Sequence, residues 1–250
     1  MKKWQIVLIV ILVCIPVIVG IFLGGAILKD VFNELGEEKK LKTEMEEITE
    51  LLEKQDISED EINKKLDVIV TDGDYGKVEK ASKEYLKDFC NIIFTVTNAY
   101  NNEEITNALS AENYKNDGPN FVKTKKNLDD LISVLRQSLD DYEEIISDKK
   151  IMEYIDKYKL DDYYVDLYKD EIIGDMSEVR KNNDMSDAIN LSIEYAESIK
   201  NILSFLQKNK GKWEVEGSQI LFANQALVDE YNKMLDDLQS KVNDRTDSEL

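Results

Sequence analysis

Apolar positions divide this chain into an unbroken run, then stripes at helical spacing, then one short alternation near the C-terminus. The run is Trp4 to Leu28, 25 residues without Asp, Glu, Lys or Arg; as a helix it would reach roughly 37 Å, more than the ~30 Å of a hydrocarbon core. With some tilt it can span a membrane.

Helical stripes follow. Leu41, Met45, Ile48 and Leu52 step by 4, 3 and 4. Gly36 and the polar run Glu37 to Lys40 before them read as a solvated stalk. Ser58 and Glu61 have the spacing of a capping box for a short helix carrying Ile62, Leu66 and Ile69. Thr71 to Gly76 reads as a turn. From Lys77 to Asn101 the face Val78, Ala81, Tyr85, Phe89, Ile92, Val96 and Ala99, widened by Cys90, Ile93 and Phe94, predicts the most buried helix of the body. Asn116-Asp117-Gly118-Pro119 breaks the pattern. Leu128, Ile132, Leu135, Leu139, Tyr142 and Ile146 then repeat in the 4-3 manner of a coiled coil. Asp161 and Asp162 open a further helix. Ser186 is placed to cap a long one carrying Ala188, Tyr195, Ile199, Ile202 and Leu206.

Past Lys212 the period changes to two. Trp213 and Val215 alternate with glutamates, and Gly217-Ser218 is a loop of the type II′ kind. That turn sets Val215 against Ile220 and Trp213 against Phe222, with all four on one side for docking on helices. Asn224 is the expected cap of the last helix, with Leu227, Tyr231, Leu235, Leu238 and Val242 inward.

The predicted architecture is all-α: a single N-terminal transmembrane helix, then an extracytoplasmic helical bundle with one small β-hairpin near the C-terminus. Residues 1–3 are the cytoplasmic N-terminus and 4–28 the signal anchor. Residues 29–57 form a juxtamembrane helix or stalk, 58–242 an acidic helical domain with its hairpin at about 212–222, and 243–250 a polar tail. Lys2 and Lys3 precede the run, which orients the N-terminus inward and the body outward. Gly24 and Ala26 have signal-peptidase spacing, and cleavage there would secrete the body. The run is longer than a secretory core, which favours a retained anchor. Within it, Pro16 removes one backbone donor, Cys14 reads as an ordinary apolar residue, and Gly20 and Gly24 form a GxxxG face for transmembrane self-association into a homodimer.

Charge and composition narrow the functions. The chain carries 32 Lys+Arg against 52 Asp+Glu, net −20. Such a surface repels phosphate backbones, so no nucleic-acid partner is expected. Histidine is absent, which removes imidazole acid–base chemistry and the commonest metal ligand. Cys90, alone outside the apolar run and flanked by Phe89 and Ile92 nearby, reads as a buried inert thiol. Asp72 and Asp74 resemble the opening of a calcium loop, but Lys83 occupies the twelfth position. Adjacent carboxylates such as Asp161/Asp162 point about 100° apart on a helix and do not converge. No phosphate loop, nucleophile elbow or CxxC occurs.

The expectation is therefore no enzyme, no catalytic residue, no cofactor and no metal. The chain reads as a membrane-anchored binding or scaffolding module of the cell envelope, with the lipid bilayer as one partner and an envelope protein as the other. The partner-binding candidates are Tyr154, Tyr158, Tyr163, Tyr164 and Trp213, since tyrosine and tryptophan join a rigid apolar body to a polar tip. The competing reading for Tyr154, Tyr158 and Tyr168 is core packing with the hydroxyls reaching water. A ligand sensor acting through another membrane protein is the alternative, and a carboxylate-dependent envelope enzyme the lesser one.

Overall fold

In a computed structural model, the described residues are 36–52, 54, 58–100, 103–172, 180 and 184–246. They form ten helices and two strands: α1 (Glu37–Leu52), α2 (Glu59–Leu66), α3 (Gly73–Tyr100), α4 (Glu103–Thr106), α5 (Ala111–Asn116), α6 (Val122–Ile145), α7 (Asp148–Asp156), α8 (Asp162–Ile172), α9 (Asp184–Lys208), β1 (Trp213–Glu216), β2 (Gln219–Phe222) and α10 (Gln225–Thr246). The predicted helical body with one antiparallel hairpin is what the described residues form. The anchor, with Cys14, Pro16, Gly20 and Gly24, lies outside the described residues, among which no helix is long and apolar enough to cross a membrane.

The helices pack as two units. One runs from α1 to Thr95 and adds Ser138–Asp187; the other comprises Val96–Gln137 with Ala188–Leu250. In the first, the 4-3-4 stripe of α1 is fully used: Leu41, Met45, Ile48 and Leu52 are buried beside Ile62 and Leu66 of α2. In the polar run before that stripe, expected as a stalk, Gly36, Lys39 and Lys40 are exposed. On α3, Val78, Ala81, Tyr85, Leu86, Phe89, Cys90 and Ile93 are buried. Tyr85 stacks on Phe89 and meets Tyr154 edge-on, with ring centroids 5.6 Å apart. The second unit buries Leu128, Leu131, Ile132 and Leu135 of α6 with Ile189, Tyr195, Ile199, Ile202, Leu203 and Leu206 of α9.

Local signals set several boundaries. Ser58 caps α2, its hydroxyl accepting from Glu61 N at 3.2 Å. Asn224 caps α10 through Leu227 N at 3.1 Å. The hairpin register is the expected one, Trp213 opposite Phe222 and Val215 opposite Ile220, with Gly217 at φ +59 in the turn. Those four side chains are half-buried while their neighbours are exposed.

Four expectations are corrected. Thr71–Gly76 is not all turn, because α3 already begins at Gly73, whose φ of +62 lets the chain swing into the helix. Ser186 is no cap: α9 begins at Asp184, and the Ser186 hydroxyl is buried without a partner. Ile69, expected on the helix of Ile62 and Leu66, lies past the end of α2 at Leu66, in the connection to α3, and is exposed. On α6, Leu139 is half-buried while Leu131, Ser138 and Ile145 are buried, a face wider than a two-position seam.

Candidate functional site

Two features of α3 define the site of the first unit. Glu79, Lys83, Leu86, Cys90 and Ile93 step by 4, 3, 4 and 3, so Glu79 and Lys83 lie in line with buried apolar residues. Their side chains are 0 % and 1 % exposed. The Lys83 ammonium donates to Glu79 Oε1 at 2.7 Å, to Glu44 Oε1 of α1 at 2.5 Å and to the Val68 carbonyl at 2.5 Å, using its three protons. The Glu79 carboxylate accepts from Val70 N at 3.0 Å, Thr71 N at 2.8 Å and the Thr71 hydroxyl at 2.6 Å. Burial alone would raise the Glu79 carboxyl; the bonds from Lys83, Thr71 and Val70 outweigh it and hold the group below its usual value. Lys65 of α2 closes the network, bonding Glu44 Oε2 at 2.8 Å and Glu47 at 2.6 Å.

This network pins the α2–α3 connection against α3. Above it, the side chains of Val68, Ile69 and Val70 face solvent, 55 %, 40 % and 40 % exposed. Two residues on, Asp72 N donates to Glu37 Oε2 of α1 at 2.9 Å. The neighbouring Glu38 Oε2 accepts from the Tyr163 hydroxyl at 2.5 Å, and Tyr75 OH lies 3.2 Å from that hydroxyl. Tyr164 meets both rings edge-on at 5.1 Å. The hydrogen bond to Glu38, then that to Tyr75, raises the Tyr163 phenol above its ordinary value.

The other candidates fall elsewhere. Tyr154 is half-buried and donates to Asp88 at 2.6 Å; Lys157 lies over the Tyr158 ring at 5.2 Å. Tyr168 corrects the expectation of a wetted hydroxyl: it is buried and donates to the Ile151 carbonyl at 2.8 Å. Trp213, in the second unit, is held inward, with Nε1 donating to the Leu206 carbonyl at 2.7 Å and its ring stacked on Phe121 at 6.1 Å. Phe121 is buried at φ +51, and a side chain at Gly118 would come within 2.2 Å of the Tyr114 carbonyl, so a glycine is required there. Cys90 is buried and its thiol pushed up to about 12 by burial, the inert thiol expected.

Residues 175–249 match a family described as "Protein of unknown function (DUF3053)". The matched stretch includes the α9–hairpin–α10 segment that carries Trp213. No curated protein and no solved structure matches the chain.

Sequence reading missed Glu38, Glu44, Tyr75, Glu79 and Lys83. For Glu79 and Lys83 a signal was present, because both continue the 4-3 stripe of α3. For Glu38 and Tyr75 none was, since 125 residues separate Glu38 from Tyr163.

Proposed function

We propose that this chain is a membrane-anchored module of the cell envelope, its helical body outside the cytoplasm, and that it holds a protein partner there without catalysing a reaction. The observation that carries the reading is the Tyr75–Tyr163–Tyr164 cluster on Glu38, which leaves Tyr163 52 % exposed in a hydrogen-bonded position. Three rigid amphipathic rings around a carboxylate suit lysine or arginine side chains, through ring faces and charge-assisted hydrogen bonds. They do so at low cost in side-chain entropy. The apolar run Trp4–Leu28, with Lys2 and Lys3 before it, supplies the anchor and its orientation.

The test is crosslinking of the full-length chain in its native membrane, followed by recovery of neighbours. A stoichiometric protein partner is expected, and it should be lost when Tyr163 and Tyr164 are both changed to alanine. Undiminished recovery of that partner with the double variant would move the contact off this cluster.

A further inference from the structure

We propose that the Val68–Ile69–Val70 loop rests in the headgroup region of the bilayer that anchors the chain. The inference rests on the anchored reading above and names what this face touches.

Single exposed apolar residues are ordinary on a protein surface; three consecutive β-branched ones are not. The backbone is held at both ends of the triplet. Val70 N is spent on both oxygens of Glu79, and the Val68 carbonyl on Lys83. That arrangement suits a segment entering a low-dielectric layer. Backbone groups there need partners from the protein, and the buried ion pair supplies them from beneath.

The covalent path selects lipid over other apolar occupants. Gly36 follows Leu28 by eight residues, a reach of at most about 29 Å. Directly after Gly36, Glu37 accepts from Asp72 N, two residues beyond Val70, so the loop is tied to the point where the body meets the anchor segment. Tethering raises the effective concentration of the loop at the bilayer, so a few apolar side chains suffice. Tyr75 and Tyr163 join the same end of the unit through Glu38, with Tyr164 against their rings, and tyrosine is a residue of the membrane–water boundary. Glu37, Glu38 and Asp67 nearby are each paired with a lysine, Lys40, Lys42 and Lys87, so no cluster of spare lysines draws this end to an anionic surface and the match is a zwitterionic one. A partner held by the tyrosines would then itself lie at headgroup level.

The experiment uses the full-length chain with Cys14→Ala and Cys90→Ala in phosphatidylcholine nanodiscs. An environment-sensitive NBD label is placed through Ile69→Cys or, independently, Val68→Cys. Lys149→Cys marks a water-exposed site of α7 and Ile9→Cys the apolar run. Labels at 68 and 69 should emit to the blue of the label at 149 and lose emission when doxyl-labelled lipid is added. If both stay water-like while the label at 9 is quenched, the anchor stands and the loop contact is overturned. A blue-shifted but unquenched emission at 68 and 69 means that protein covers the loop and also overturns it. No quenching at 9 overturns the anchored reading and this inference together.

Discussion

Lys83 and Glu79, one turn apart on α3, form an ion pair of 2.7 Å that is closed to solvent on all sides. The pair persists because no polar atom in it is left over: Glu44, the Val68 carbonyl and the Thr71 backbone and hydroxyl take up its remaining capacity. Its hydrogen bonds join α1, the α2–α3 connection and α3.

Removing the cation leaves two buried carboxylates facing each other. Lys83→Met is expected to destabilise the protein by about 3–5 kcal/mol, read as a lower urea midpoint at unchanged slope. Lys87→Met breaks the exposed pair with Asp67, 2.6 Å long, and should cost at most about 1 kcal/mol.

The depressed Glu79 carboxyl makes stability depend on pH in one direction. Its contribution is complete above the unfolded-state value of about 4.3 and is lost as pH falls through the lower folded value. Thermal melts between neutral pH and about pH 3 should therefore drop toward the acid end. In Glu79→Gln the starting melt is lower and the acid-side drop shallower; an equally steep drop would assign the proton uptake to other carboxylates.

Trp213 is a structural anchor of the hairpin. Trp213→Ala should cost about 3 kcal/mol, the lower end for a large aromatic, because the ring is half-buried. Trp213→Phe keeps the stack on Phe121 but gives up the hydrogen bond to Leu206, a loss of about 1 kcal/mol. Melting curves of the two variants separate these contributions.

Cys90 should be silent toward thiol reagents in the native protein. Burial pushes its thiol up to about 12, so the reactive thiolate is scarce at pH 8, and the side chain is closed to reagents as well. In a Cys14→Ala background, labelling should appear only as urea unfolds the chain and should follow the unfolding transition.

Local order was legible from the chain alone. Spacing of 3 and 4 marked the helical faces, Ser58 and Asn224 marked two helix starts, and Gly217-Ser218 set the strand register residue by residue. These depend on neighbours within a turn or two, where backbone geometry leaves few choices. Ser186 failed by the same rule, because a serine suits a cap and a first turn equally until the chain before it is placed. Tertiary structure alone decided which charges were buried and which tyrosines met. Periodicity says that Lys83 points inward with Glu79 one turn before it, yet its second countercharge, Glu44, lies 39 residues away, and Tyr163 finds Glu38 across 125. Glu79 is a local partner, but the buried pair has further protons and lone pairs to satisfy, and where their partners come from other elements no local pattern names them.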